Sequence, residues 1–228
     1  GRTGRHTLLM IDGFRLNHAL FRQGPNQYLF TIDPLSIHAI EVLRGGGSVT
    51  LGANALSGAI LVQTRTPQID PYQEKTVARP QLNLLSSTAD RGLGGRASVD
   101  LQLSPHWGIY VGASGVNRSL LEASGPLPVS PGTPTVLIEE KEVPRFDSNG
   151  RIQRGTGYEA LSGDVVARWR GGEGVDWVSA VRMFRQFNSP RTDRCPPPEA
   201  PDTWCLTYDE QFRTHAYTRL HLKPKLML

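Results

Sequence analysis

Arg96-Ala97-Ser98-Val99-Asp100-Leu101-Gln102-Leu103 places an apolar residue at every second position and fills the positions between with Arg, Ser, Asp and Gln. A period of two is the spacing at which side chains alternate between the faces of a β-sheet, so this stretch reads as a strand with one apolar and one polar face. The pattern recurs on either side of a long middle segment. Between Tyr158 and Arg170, Leu161, Val165, Ala167 and Trp169 oppose Ser162, Asp164, Arg168 and Arg170. Between Gln211 and Leu222, Phe212, Ala216, Leu220 and Leu222 oppose Arg213, His215, Tyr217, Arg219 and His221.

Less regular strands at about 81 to 87, 107 to 117 and 175 to 186 bring the expected number to about six. Their connections are unequal. Ser104-Pro105-His106 and Gly171-Gly172-Glu173-Gly174 are tight, whereas 119 to 157 and 188 to 208 are long and rich in proline. Transmembrane barrels alternate short inner turns with long outer loops in this way, although the first outer connection, about 88 to 93, is short. A soluble antiparallel sandwich also alternates apolar and polar positions, and on pattern alone both readings stand.

The 228 residues hold 24 glycines and 17 prolines, and no run approaches the roughly 18 consecutive apolar residues of a spanning helix. A helical membrane protein is not the expectation on that ground; for a membrane barrel the ground says little, because its alternation dilutes windowed hydropathy. The formal net charge of +4 is spread among acidic residues without a basic run, which gives no nucleic-acid footprint. Cys195 and Cys205 flank a Pro-rich segment and match no common zinc spacing. They read as a loop-stapling disulfide of an oxidising compartment, against the alternative of two unpaired thiols. Gly45-Gly46-Gly47 belongs to no phosphate-binding pattern, no local Ser/His/Asp spacing suggests a catalytic set, and no metal or cofactor site is expected.

Residues 1 to 66 differ in texture. Leu8-Leu9-Met10-Ile11 is a buried-strand candidate, Asp12-Gly13 a hairpin turn, and Phe14-Arg15-Leu16 its return strand. Gly24-Pro25-Asn26 interrupts regular structure within an exposed polar loop. Asp33-Pro34 supplies a cap and first-turn proline for a short helix containing Leu35, Ile37 and Ile40, after which Ile40 to Arg44 extends as a strand to Gly45. Pro67-Gln68-Ile69-Asp70-Pro71 is linker-like, giving expected boundaries of 1–66, 67–79 and 80–228.

Three segments of this first part carry a resemblance. Leu9-Met10-Ile11-Asp12-Gly13-Phe14-Arg15-Leu16-Asn17 resembles the LIDG-x-RLN segment of TonB-dependent receptor plugs, and Ile37 to Gly45 resembles their I-x-x-IEV-x-RG segment. Gly47 to Thr64 is similar to the GS-x-LYGS-x-A-x-GG-x-I-x-V-x-T ending of the plug, with Gly46 in place of the usual proline and Leu51 in place of tyrosine. Order and spacing agree with the family over residues 7 to 66. Such a resemblance implies a mainly β protein: a small mixed α+β plug, incomplete at its N-terminus, followed by the first antiparallel strands of a transmembrane β-barrel.

The resemblance further implies uptake of a scarce nutrient across a Gram-negative outer membrane. Chelated iron, as siderophore or haem, is the default cargo, and the TonB–ExbB–ExbD complex is the partner, engaged through a segment absent from these residues. In this reading the chain begins mid-protein, is embedded in outer-membrane lipid and is no enzyme; a secreted β-rich binding or adhesion module is the alternative. Arg22, Gln23, Asn26, Gln27 and Tyr28 occupy the position of an apical loop of the plug and are candidate ligand contacts, or else hold the loop against the wall. Glu41 and Arg44 are expected to lock plug to barrel. His215 and His221 read as lumen lining, and Trp107, Trp169 and Trp177 as an interfacial girdle or ordinary sheet packing.

Overall fold

The computed structural model describes residues 7–16, 31–52, 55–125, 135–138, 141–144, 151–153, 155–190 and 207–223. Within them, Thr7–Ile11 (β1) and Phe14–Arg15 (β2) form the expected hairpin, its turn made by Asp12 and Gly13 at φ 50° and 88°. Both turn residues adopt positive φ, which Asp and Gly tolerate and β-branched residues do not. Ile37–Arg44 (β3) and Gly58–Thr64 (β4) complete a sheet of order β2-β1-β4-β3, in which β1 runs parallel to β4 and β3 antiparallel to it. Leu9, Ile11, Ile32 and Val62 are buried on one side of this sheet, and Leu8, Ala55 and Ala59 on the other. The two-sided core explains why Leu8 and Leu9 are both apolar despite pointing opposite ways.

The short helix expected after Asp33 is corrected. Only Pro34–Ser36 turns, as a single 3-10 turn closed by the Ser36 amide and hydroxyl on the Asp33 carbonyl, and Ile37 is already in the strand. Pairing with β4 from Thr64 to Gly58 takes up β3 along its whole length and outcompetes helical propagation beyond one turn. β3 stops where Gly45 turns to φ 93°. One helical turn that the sequence reading did not anticipate, Ser48–Leu51 (α1), follows.

The second sheet holds six long strands: Val77–Ser87 (β5), Gly92–Gln102 (β6), Trp107–Arg118 (β7), Tyr158–Gly171 (β8), Val175–Pro190 (β9) and Thr207–Leu222 (β10). Sequential neighbours pair antiparallel throughout. Strands of 11 to 16 residues exceed the roughly 9–11 that a tilted strand needs to cross a hydrocarbon layer. Between β7 and β8 the described residues form two small two-stranded ladders, pairing Leu121–Glu122 with Ile152–Gln153 and Thr135–Ile138 with Lys141–Pro144.

The two faces of this wall are buried in the reverse of the usual sense. On the outer face Leu82, Leu84, Leu93, Leu161, Met183, Phe212 and Leu220 are all more than half exposed. On the inner face Arg96, Asp100, Gln102, Asp164, Arg182 and Gln186 are at most 9% exposed. A sandwich in water would bury the apolar face and solvate the charges. Here the small sheet lies against the charged face, and among the described residues nothing packs on the apolar face. Trp107, Trp169 and Trp177 stand opposite one another across β7, β8 and β9, near the tight turns. Their ring centroids are 6.4 Å (Trp107–Trp169) and 5.8 Å (Trp107–Trp177) apart, an aromatic row at one rim of the apolar band.

Candidate functional site

Two turns of the small sheet aim carboxylates at the wall. Asp33 is the residue before the 3-10 turn; its Oδ1 accepts from the Leu35 amide at 2.9 Å, which caps the turn and fixes the side chain. Its Oδ2 faces outward and accepts from Arg96 Nη1 at 2.9 Å, Ser114 Oγ at 2.8 Å and Ser162 Oγ at 2.7 Å. These three donors are register neighbours on β6, β7 and β8, so a single row across three strands converges on one oxygen.

Asp12, at the hairpin tip, is held by the end of β4: Oδ1 accepts from the Thr64 amide at 2.8 Å and Oδ2 from the Thr64 hydroxyl at 2.7 Å. From there Oδ2 lies 3.4 Å from Arg182 Nε on β9. Arg182 also donates to the Arg65 carbonyl at 2.9 Å and to Asp164 Oδ2 at 3.1 Å. The other oxygen of Asp164 accepts a short hydrogen bond from Arg96. The charges therefore alternate along one continuous chain: Asp33, Arg96, Asp164, Arg182, Asp12.

All five side chains are 10% exposed or less. Unpaired, such ions would cost several kcal/mol each in desolvation; here every one has an opposite charge on at least one side. Arg96 reaches Asp164 by crossing β7 over Gly112, and a Cβ at Gly112 would fall on the guanidinium. A cavity of about 30 Å³ beside this chain is bordered by Asp33, Thr64, Asp164, Arg182, Arg213 and His215. Arg213 Nη1 donates to the Thr31 hydroxyl at 2.7 Å.

Below this row the linker is strapped to the wall by its backbone. The Gln68 amide donates to Asp100 at 3.2 Å and the Asp70 amide to Gln102 Oε1 at 3.1 Å, while Gln102 Nε2 returns a bond to the Asp70 carbonyl at 2.6 Å. Arg79, Arg168 and Arg170 donate to the carbonyls of Gln68, Pro67 and Ile69 at 3.2, 3.5 and 3.2 Å. Gly108 leaves room for the strap, since a Cβ there would lie 2.8 Å from Pro67 Cβ. At the far edge, Phe14 packs on His215 and Tyr217 of β10, with ring centroids 5.5 and 4.8 Å away, and Arg219 donates to the Asp12 carbonyl at 3.4 Å.

The expected site residues fall differently. Arg22, Gln23, Asn26, Gln27 and Tyr28 lie outside the described residues, as do Cys195 and Cys205. Glu41 and Arg44 are on exposed positions of β3, where Glu41 accepts from Gln63 of the adjacent strand at 2.9 Å. Among the described residues the buried charges that meet the wall are instead Asp12 and Asp33, which the sequence reading had seen only as a turn residue and a cap. The polar strand face that quoted Arg96 and Asp164 was the signal for the other half of the chain. Among the described residues no group of three or more His, Cys, Asp or Glu is placed to hold a metal ion, and no helix is long and apolar enough to cross a membrane.

A small mixed sheet seated through buried charges on the polar face of an antiparallel wall, with the apolar face turned outward, is the arrangement of a plug against the first strands of a transmembrane β-barrel; the six-stranded sheet itself is open. Residues 1–59 match the TonB-dependent Receptor Plug Domain family. Among solved structures, it is similar to the ferric enterobactin receptor PfeA of Pseudomonas aeruginosa in complex with enterobactin, with 15% identity and a TM-score of 0.55 over 94% of this chain and 30% of that one. The siderophore receptor PirA of Acinetobacter baumannii is similar at 12% identity and a TM-score of 0.56 over 94% of this chain and 29% of that one. The likeness is one of fold, and this chain spans about 30% of the length of those receptors. No curated relative matches the chain.

Proposed function

We propose that this chain supplies plug and barrel wall to a receptor that takes up chelated iron across the outer membrane of a Gram-negative bacterium, driven by the TonB–ExbB–ExbD complex. The observation that carries this reading is the reversed burial of the six-stranded wall, with charges inside against the plug and leucines, Met183 and Phe212 outside. Such a wall needs lipid on one side and a polar partner on the other. The plug family supports coupling to TonB, and the siderophore receptors of like fold support an iron chelate as cargo.

In this reading the plug blocks the lumen at rest, and pulling on it breaks the Asp33 and Asp12 contacts to open a path. The residues 1–66 act as plug, 67–79 as linker and 80–228 as wall. Arg22, Gln23, Asn26, Gln27 and Tyr28 present donors and a ring to the ligand, Glu41 and Arg44 add locking contacts, and Cys195 and Cys205 staple an outer loop. The protein carries and releases its cargo without chemistry.

The test is uptake of radioactive iron chelates by the native host, with the parent gene intact, deleted, or intact in cells lacking TonB. Accumulation that disappears in both altered strains is the expected result. Equal accumulation in all three for every chelate, with the protein recovered in the soluble fraction, would leave the secreted β-module as the better reading.

A further inference from the structure

Plug and linker are fastened to the wall by two different kinds of contact. The plug body meets it chiefly through side chains at two turns, Asp33 and Asp12, with Phe14 beside the second. The linker meets it through its main chain. Arg182 donates to the carbonyl of Arg65, Arg168 to that of Pro67, Arg79 to that of Gln68, Arg170 to that of Ile69 and Gln102 to that of Asp70. In the other direction the amides of Gln68 and Asp70 donate to Asp100 and Gln102. Strands β5, β6, β8 and β9 thus converge on one short stretch of chain.

The wall side of these contacts is built for a main chain. Gln102 is fully buried and both ends of its amide are used: Oε1 accepts from the Asp70 amide and from Arg79 Nη2 at 3.2 Å, and Nε2 donates to the carbonyls of Asp70 at 2.6 Å and Ser104 at 3.3 Å. Pro67 and Ile69 are buried over Gly108 of β7, where a Cβ would lie 2.8 Å from Pro67 Cβ and 3.2 Å from Ile69 Cγ1, while Gln68 and Asp70 are exposed. The changeover falls on Arg65, whose amide donates to the Ser36 carbonyl of the plug at 3.1 Å and whose carbonyl accepts from Arg182 of the wall at 2.9 Å. Upstream, Thr64 is tied to Asp12; downstream, Pro67 to Asp70 are tied to the wall. Loss of the Asp33 and Asp12 contacts removes none of the bonds from Pro67 to Asp70.

We propose that residues 65–70 are a main-chain clamp that stays on the wall when the plug body leaves its seat, with Arg65 and Thr66 as the hinge, a device that rests on the plug-and-wall reading above. Hinges of this kind are a few residues at the end of an element that absorb the change in φ and ψ. Because the wall binds amides and carbonyls, the clamp is indifferent to the linker's exposed side chains and sensitive to the loss of an amide, which proline brings about.

The experiment uses the full-length receptor, its native cysteines replaced, with pairs of spin labels whose separation is followed as urea rises. One pair joins β3 to Lys223, the other Tyr72 to Lys223; Tyr72 is 92% exposed, and Lys223 is exposed just after β10. The β3 distance is expected to be lost at lower urea than the Tyr72 distance, with heat-modifiable mobility retained through both transitions. Asp33→Ala is expected to lower the first midpoint by at least about 1 M and leave the second in place. Gln68→Pro, which removes the amide donated to Asp100, is expected to lower the second by about 1 M and leave the first in place, while Gln68→Ala moves neither. Loss of both distances in one transition, loss of the Tyr72 distance first, or a second midpoint that Gln68→Pro does not move would overturn the clamp and leave the plugged wall standing. A full-length protein without heat-modifiable mobility would sink the plug-and-wall reading and the clamp with it.

Discussion

Replacing Asp33 by Ala removes one carboxylate oxygen from three wall donors and the other from the Leu35 amide. The Arg96 contact is a buried, charge-assisted bond worth about 1.5–3 kcal/mol. The lost cap adds about 0.5–2 kcal/mol. The two serines lose less, because their hydroxyl oxygens lie 2.7 Å apart and can pair with each other. Arg96 keeps Asp164, so it is not left wholly unpaired. The sum is about 2–5 kcal/mol, which overlaps the cost of breaking a buried ion pair from one side. Asp33→Asn keeps the cap through its one amide oxygen but turns an NH2 donor toward Arg96, so it is expected to recover only the cap, about 0.5–2 kcal/mol of that cost. The assay is urea-induced release of the plug from the full-length receptor, followed by a fluorophore on the exposed plug strand β3. With a urea dependence of about 2 kcal/mol per molar, the Ala variant is expected to lower the midpoint by about 1–2.5 M. A shift worth under about 0.5 kcal/mol, the scatter of ordinary surface substitutions, would refute the assignment of Asp33 as the principal seat.

Gly112→Val places carbon where the Arg96 guanidinium crosses β7 and is expected to destabilise plug seating by about 1–3 kcal/mol in the same assay, whereas Gly163→Ala, whose added Cβ would have its nearest neighbour 3.9 Å away, is expected to change little. In bilayers containing lipids brominated near the headgroup, the fluorescence of Trp107, Trp169 and Trp177 is expected to be quenched; absence of quenching would remove the girdle. Asp90, in the turn between β5 and β6, lies 2.6 Å from Arg118. Burial raises its carboxyl, but hydrogen bonds from Ser87 and Arg118, the charge of Arg118 and the Gly92 amide outweigh that and hold it below the usual carboxylate range. A depressed carboxylate stabilises the folded state above its unfolded value of about 4 and stops doing so as pH falls through the folded value. Hydrogen exchange in that turn is therefore expected to accelerate on acidification below about pH 4 in the unsubstituted protein and not in Asp90→Asn.

The strand count and the composition of the two faces were legible because a two-residue period survives in a single sequence: Ser162, Asp164 and Arg168 against Leu161, Val165 and Ala167 needed no partner to be seen. Which face is buried was not legible from the strands. Alternation is symmetric under exchange of inside and outside, and only the plug motifs argued for charges inward. Asp33 was visible as a cap because capping is local, but its partners at 96, 114 and 162 lie 63, 81 and 129 residues away and depend on a register that no local signal carries. The helix expected through Ile40 failed for a related reason: propensity at Pro34 to Ser36 favours a turn, while pairing of Ile37 onward with β4 is a long-range gain.

The most direct measurement is an accessibility scan along β9 in the full-length receptor in bilayers, with its native cysteines replaced and single spin labels placed from Val178 to Arg185. Val181, Met183 and Arg185 are exposed on the outer face, and Val178, Ala180, Arg182 and Phe184 are buried on the inner one. Collision with dissolved oxygen is expected to alternate with a period of two, high at Val181 and Met183 and low at Ala180 and Phe184. A flat profile, or maxima at the inner positions, would contradict a wall that faces lipid with its apolar side and the plug with its charges.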